Sequence, residues 1–122
     1  AIMEFVAIDV ETSNADMASI CQIGLAKFKD GQLVGEWSTL INPEDYFHFI
    51  NIDIHGITKK DVGGAPKFPE VAGVLSKYLS GSVCVSHTHF DRVSVWRALK
   101  KYSLNPIDTI WLGMIPMANI VE

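Results

Sequence analysis

The run Glu4-Phe5-Val6-Ala7-Ile8-Asp9-Val10 constrains this chain more than any other segment, being apolar almost throughout and ending in carboxylates. A short run of this kind predicts a central strand buried on both faces, with a site at its charged end. Asp9 and Glu11 are separated by one residue, so in extended backbone their side chains point to the same side. Two like charges at the end of a buried strand are costly unless a cation neutralises them or water reaches them. Taken alone, the pair is either a divalent-metal site or a strand-end turn with solvated acids.

The segments that follow set the fold class. After a Ser/Asn/Asp-rich loop, 12–19, residues 20–28 alternate as a strand. The turn Lys29-Asp30-Gly31-Gln32 leads into an antiparallel partner over 33–41. Asn42-Pro43 ends that strand, and a long loop carrying Tyr46, Phe47, His48 and Phe49 runs on to Ile52-Asp53-Ile54-His55-Gly56-Ile57-Thr58. Thr58 is placed to cap a short helix through Val62. Val71, Val74, Leu75, Tyr78 and Leu79 recur at helical spacing, with Gly81 suited to the cap beyond them. A strand over Ser82–Ser86, a helix over about Phe90–Tyr102 and a strand over Ile107–Leu112 complete the pattern. The order βββαβα, with its antiparallel meander in a mixed sheet flanked by helices, is that of the α/β ribonuclease H-like fold.

The chain's 122 residues make one domain at most. With 48% apolar and 20% charged residues it has the composition of a compact globular protein. A net charge of −4 excludes a broad basic face, so any grip on nucleic acid must be local. The apolar opening is interrupted by Glu4 and Asp9 and has no basic leader, which predicts neither a signal peptide nor a membrane span and a cytoplasmic setting by default. Cys21 and Cys84 stand far apart and read as reduced core thiols.

Read with its neighbours, the acidic pair becomes specific. Asp9-Val10-Glu11-Thr12-Ser13-Asn14 followed by Ser19-Ile20-Cys21-Gln22-Ile23-Gly24 resembles the first motif of the DEDD (DnaQ-like) 3′-5′ exonuclease superfamily, which includes the proofreading epsilon subunit of bacterial DNA polymerase III. Leu40-Ile41-Asn42-Pro43, His55-Gly56-Ile57-Thr58 with Asp61-Val62 and Ala65-Pro66, and Ser86-His87-Thr88-His89-Phe90-Asp91 extend the resemblance in order from Glu4 to Thr109.

The resemblance implies that Asp9, Glu11 and Asp91 are catalytic carboxylates holding two divalent ions, Mg²⁺ or Mn²⁺. It implies hydrolysis of phosphodiesters at a nucleic-acid 3′ end, single-stranded in the simplest reading, releasing nucleoside 5′-monophosphates. Thr12, Ser13 and His55 fall where the family meets the terminal nucleotide, His55 as the residue that orders a loop beside the groove. Phe90 reads as core rather than as a stacking platform, and His48 as an exposed loop residue. His87 and His89 could face one way, but no third metal ligand is in view.

One part of the pattern is missing. The family supplies a general-base His and a fourth metal-binding Asp after the segment matching Asp108-Thr109, whereas residues 110–122 contain neither His nor Asp. The expectation is a single, C-terminally truncated exonuclease domain over residues 1–122 with poor activity. The alternative is a non-catalytic module that binds nucleic acid or protein through the same fold. The apolar tail after Thr109 would fill an uncovered sheet face or meet a second copy or another partner.

Overall fold

The computed structural model describes residues 3–86 and 88–112. His87, the side chain of His89 and the tail beyond Leu112 lie outside the described residues, and with them the His87/His89 pair and the proposed role of the tail. Three strands come first: β1 (Glu4–Thr12), β2 (Ile20–Lys29) and β3 (Gln32–Leu40). Helices α1 (Phe49–His55) and α2 (Phe68–Leu79) follow, then β4 (Val83–Ser86), α3 (His89–Lys101) and β5 (Ile110–Leu112). The sheet order is β3-β2-β1-β4-β5, with β1 central. The meander is antiparallel, while β4 pairs parallel to both β1 and β5. This is the mixed α/β architecture expected from the sequence.

The β2–β3 hairpin closes through Asp30 and Gly31, both at positive φ, 50° and 81°. Consecutive left-handed residues match the twist of the two strands, which is why Asp-Gly suits the turn. α2 begins with Pro69 in its first turn and Glu70 closing a capping box, and Gly81 follows its end at φ 70°.

The core lies between the sheet and the helices. Val6, Ile8 and Val10 of β1 and Ile23 and Leu25 of β2 pack with Val71, Leu75 and Leu79 of α2 and Val95, Ala98 and Leu99 of α3. Side chains buried to this degree contribute about 1.5–3 kcal/mol each. A smaller cluster of Cys21, Ile57 and Val62, with Leu40, Phe47 and Ala65 against it, ties the long 41–66 connection to β2. Cys21 and Cys84 are free and buried, and burial pushes both thiols up to about 12.

Four sequence expectations need correcting. β1 is central but not buried on both faces: Asp9 is exposed, and Phe5, Ala7 and Glu11 are only partly covered. The 46–55 stretch is not all loop, since Phe49–His55 forms α1. That helix buries none of its own residues, so it lacks the apolar stripe by which a helix is read from sequence. Its start is fixed instead by His48, whose Nδ1 accepts from the Ile50 N–H at 3.2 Å, and its end by Gly56 at φ 73°. Conversely, Thr58–Val62 makes turns rather than a helix, with Thr58 donating to the Asp61 carboxylate from its backbone N–H and its hydroxyl. Phe90 is 37% exposed rather than core.

Candidate active site at the end of β1

Asp9 and Glu11 stand two residues apart on the face of β1 that turns away from the helices. Asp9 pairs across the ladder with Gly24, and Ala7 with Ala26. These small side chains, with Ser38 of β3 and Val85 of β4, line a shallow groove of about 710 Å³ in which Asp9 takes part.

Asp91 reaches the same edge from the first turn of α3 and is only 2% exposed. Its Oδ1 accepts from the Val10 N–H at 3.0 Å, and its Oδ2 accepts from the Thr88 N–H at 3.3 Å. One carboxylate therefore caps α3 and fastens that helix to the strand carrying the other two acids.

The Asp9 charge acts on both other acids. Burial raises the pKa of Glu11, the Asp9 charge raises it further, and His55 opposes the rise. Burial also raises Asp91, against the lowering effect of the Thr88 and Val10 hydrogen bonds, and the Asp9 charge again adds to the rise. Among the described residues the ion pairs are Lys29–Glu4 and Lys67–Glu44, so no Lys or Arg is paired with this cluster. An all-oxygen donor set with unrelieved repulsion suits a hard divalent cation. The acids line one edge without closing around a point, however: among the described residues no three His, Cys, Asp or Glu are grouped as a ready metal site.

A buried scaffold holds the edge. Ser13 is fully buried and Thr12 is 4% exposed, so neither presents an open hydroxyl surface. The Thr12 carbonyl accepts from His55 Nε2 at 2.8 Å and from Asn51 Nδ2 at 3.1 Å. His55 Nδ1 accepts from the Ile57 N–H at 3.0 Å, so a neutral ring with its proton on Nε2 satisfies both contacts. Both nitrogens are thereby committed to backbone. Ser13 accepts the His48 N–H through its carbonyl at 2.9 Å. Asn14, 2% exposed, donates to the Tyr46 carbonyl at 3.0 Å and accepts from the Asp16 N–H at 2.8 Å.

Asn14, His48 and Asn51 are organisers that sequence reasoning passed over. Asn14 lay within the motif already read for its acids. Asn51 carried no signal, because its partners, the Thr12 and Asn14 carbonyls, are backbone atoms 39 and 37 residues away.

The sequence profile of the exonuclease family, RNase T type, matches residues 6–115. The chain belongs to the exonuclease family. Among curated relatives of this exonuclease chain, the PolC-type DNA polymerase III of Latilactobacillus sakei (strain 23K) is 30% identical over 122 residues. That match takes in 98% of this chain and 8% of the polymerase. The chain spans only 6–8% of the length of the PolC-type relatives it matches. Exonuclease X in complex with 5′ overhanging duplex DNA superposes with a TM-score of 0.65 at 24% identity, over 89% of this chain and 58% of that one. Escherichia coli exonuclease I in complex with a dA16 oligonucleotide gives 0.75 at 16% identity, over 90% and 27%. These likenesses establish the ribonuclease H-like fold. Exonucleases of this family generally use divalent metal ions, and no helix among the described residues is long and apolar enough to cross a membrane.

Proposed function

We propose that this chain carries the metal-holding edge of a two-metal 3′-5′ exonuclease, acting on single-stranded nucleic-acid 3′ ends to release nucleoside 5′-monophosphates. The observation that carries the reading is the acidic edge: Asp9 and Glu11 side by side, Asp91 locked behind them, and no basic side chain paired with them among the described residues. Asp9 and Glu11 would hold Mg²⁺ or Mn²⁺ most directly, with Asp91 contributing from α3. When bound, such ions acidify a water for attack on the phosphodiester and stabilise the departing 3′-oxygen.

The chain's own residues do the positioning. Asp91 fixes α3 against β1 through the Val10 N–H. His55 and Asn51 pin the Thr12 carbonyl, so Thr12, Ser13 and His55 set the shape of the loop against which the terminal nucleotide would rest. No His or Asp follows Asp108 within these 122 residues. Without a positioned base to take the water's proton, the isolated 122-residue chain is expected to turn over about 10²–10⁴-fold more slowly than a site that has one.

A second reading, a non-catalytic module that binds nucleic acid or protein, is favoured by one observation. Both oxygens of Asp91 are already engaged with backbone, and the acids are not grouped as a closed metal site. The two readings separate on a 5′-labelled single strand incubated with the chain and Mn²⁺ or Mg²⁺. Slow, metal-dependent shortening from the 3′ end that Asp9→Ala abolishes supports the enzyme. Binding without any metal-dependent shortening supports the module.

A further inference from the structure

The outer side of α3 takes no part in the site described above, yet it gathers exposed cations around an exposed tryptophan. Arg92, Trp96 and Lys100 recur every fourth residue and so form one row along the helix. All three are exposed, with Arg97 and Lys101 exposed beside them. Trp96 leaves 54% of its surface in solvent. The Lys100 ammonium lies 5.0 Å from the centre of its ring.

Four of the chain's ten Lys and Arg residues are thus gathered on one helix of a protein with net charge −4. None of the four forms an ion pair among the described residues. The one acid on α3, Asp91, is turned inward to Val10. Between α3 and the 106–111 segment lies a hollow of about 410 Å³, with Arg92, Trp96, Pro106 and Trp111 in its wall and one acid, Asp108, among them. Indole and guanidinium planes in one wall suit a flat ring, and the flanking cations suit phosphates.

We propose that the outer face of α3 is a track for single-stranded nucleic acid, with phosphates on Arg92, Arg97 and Lys100 and a base against Trp96. This deepens the reading above by naming where the strand lies beyond its 3′ end. α3 begins at the acidic edge, since Arg92 follows Asp91 directly, and the row leads away from it. From Arg92 to Lys100 the helix rises about 12 Å at 1.5 Å per residue, the length of a few nucleotides of an extended strand. Because the acidic balance of the chain repels phosphate elsewhere, this local row would set the direction of the strand. An acidic peptide would satisfy the cations but leaves the hollow beside Trp96 without its flat ring.

The test is fluorescence anisotropy of a labelled, 3′-blocked 20-mer oligothymidylate with the 122-residue protein in EDTA, over a series of salt concentrations. Wild type is expected to bind. Trp96→Ala should weaken binding about 5- to 150-fold, the range for losing one stacked base, and Trp96→Phe should restore most of it. The Arg92→Ala/Lys100→Ala double variant should lower the slope of log affinity against log salt by about 1.4, or about 0.7 for each lost phosphate contact. Unchanged affinity and slope in these variants would overturn the proposal. So would a wild type that ignores the oligonucleotide yet binds polyglutamate in a Trp96- and Lys100-dependent way, which would mark a protein-docking face. No metal is present, so failure of the hydrolytic reading shows separately, as binding that persists without shortening when Mn²⁺ is added with the same strand left unblocked at its 3′ end.

Discussion

On one face of β1, Val6, Ile8 and Val10 are buried among side chains of α2 and α3; on the other, Ala7 and Asp9 border an open groove lined by Gly24 and Ala26. The same strand carries both sets, because alternate side chains leave a strand in opposite directions. Burial on the first face supplies stability. The second face carries Asp9, whose charge repels Glu11 beside it and Asp91 behind it, a cost that a bound cation would relieve. Folding and chemistry are therefore separable by substitution at neighbouring positions.

The sharpest way to break that separation is Asp9→Ala. Residual metal-dependent hydrolysis should fall to the metal-free background while circular dichroism and the thermal midpoint show a folded protein; loss of the fold would mean that Asp9 is structural. Leu75→Ala, on the covered face, should cost about 2–5 kcal/mol in denaturant unfolding, since Leu75 is fully buried. Any hydrolysis by the molecules that remain folded should be unaffected.

Asn51→Ala lies between the two cases. It removes donors to the Thr12 and Asn14 carbonyls. A loss of about 1–3 kcal/mol is expected, together with slower turnover through a loosened loop. Turnover that stays normal in Asn51→Ala would separate the loop from the site.

The smallest effect concerns Asp61. Its carboxyl is held below the ordinary range, first by the Thr58 N–H and then by the Thr58 hydroxyl. A depressed acid stabilises the fold above its unfolded pKa, and that contribution is lost as pH falls through the folded value. Asp61→Asn should therefore lower stability slightly at neutral pH, flatten the acid limb of a stability-versus-pH curve, and converge on wild type at low pH.

How much of this was legible in the sequence follows the range of each interaction. The meander was readable because alternation and the Asp30-Gly31 turn are local signals. α2 was readable because Val71, Leu75 and Leu79 repeat at helical spacing. α1 was not, because it buries nothing and takes its start from a histidine side chain. The acids were visible as a spaced pair, but the placing of Asp91 against Val10 joins residues 81 apart and is knowable only from the fold. Likewise, the burial of Thr12 and Ser13, which makes them scaffold rather than open surface, depends on α1 and so could not be foreseen.

If Asp9, Glu11 and Asp91 hold a divalent ion as proposed, that ion relieves the repulsion Asp9 exerts on the other two. Thermal unfolding of wild type and Asp9→Asn over a Mg²⁺ or Mn²⁺ titration tests it directly. Without metal, Asp9→Asn should be slightly the more stable, since one like charge is gone. With metal, wild type should rise, by about 2.7 kcal/mol at a hundredfold excess over its dissociation constant, while the variant stays nearly flat. A wild type indifferent to metal, or a variant that rises equally, would contradict the account.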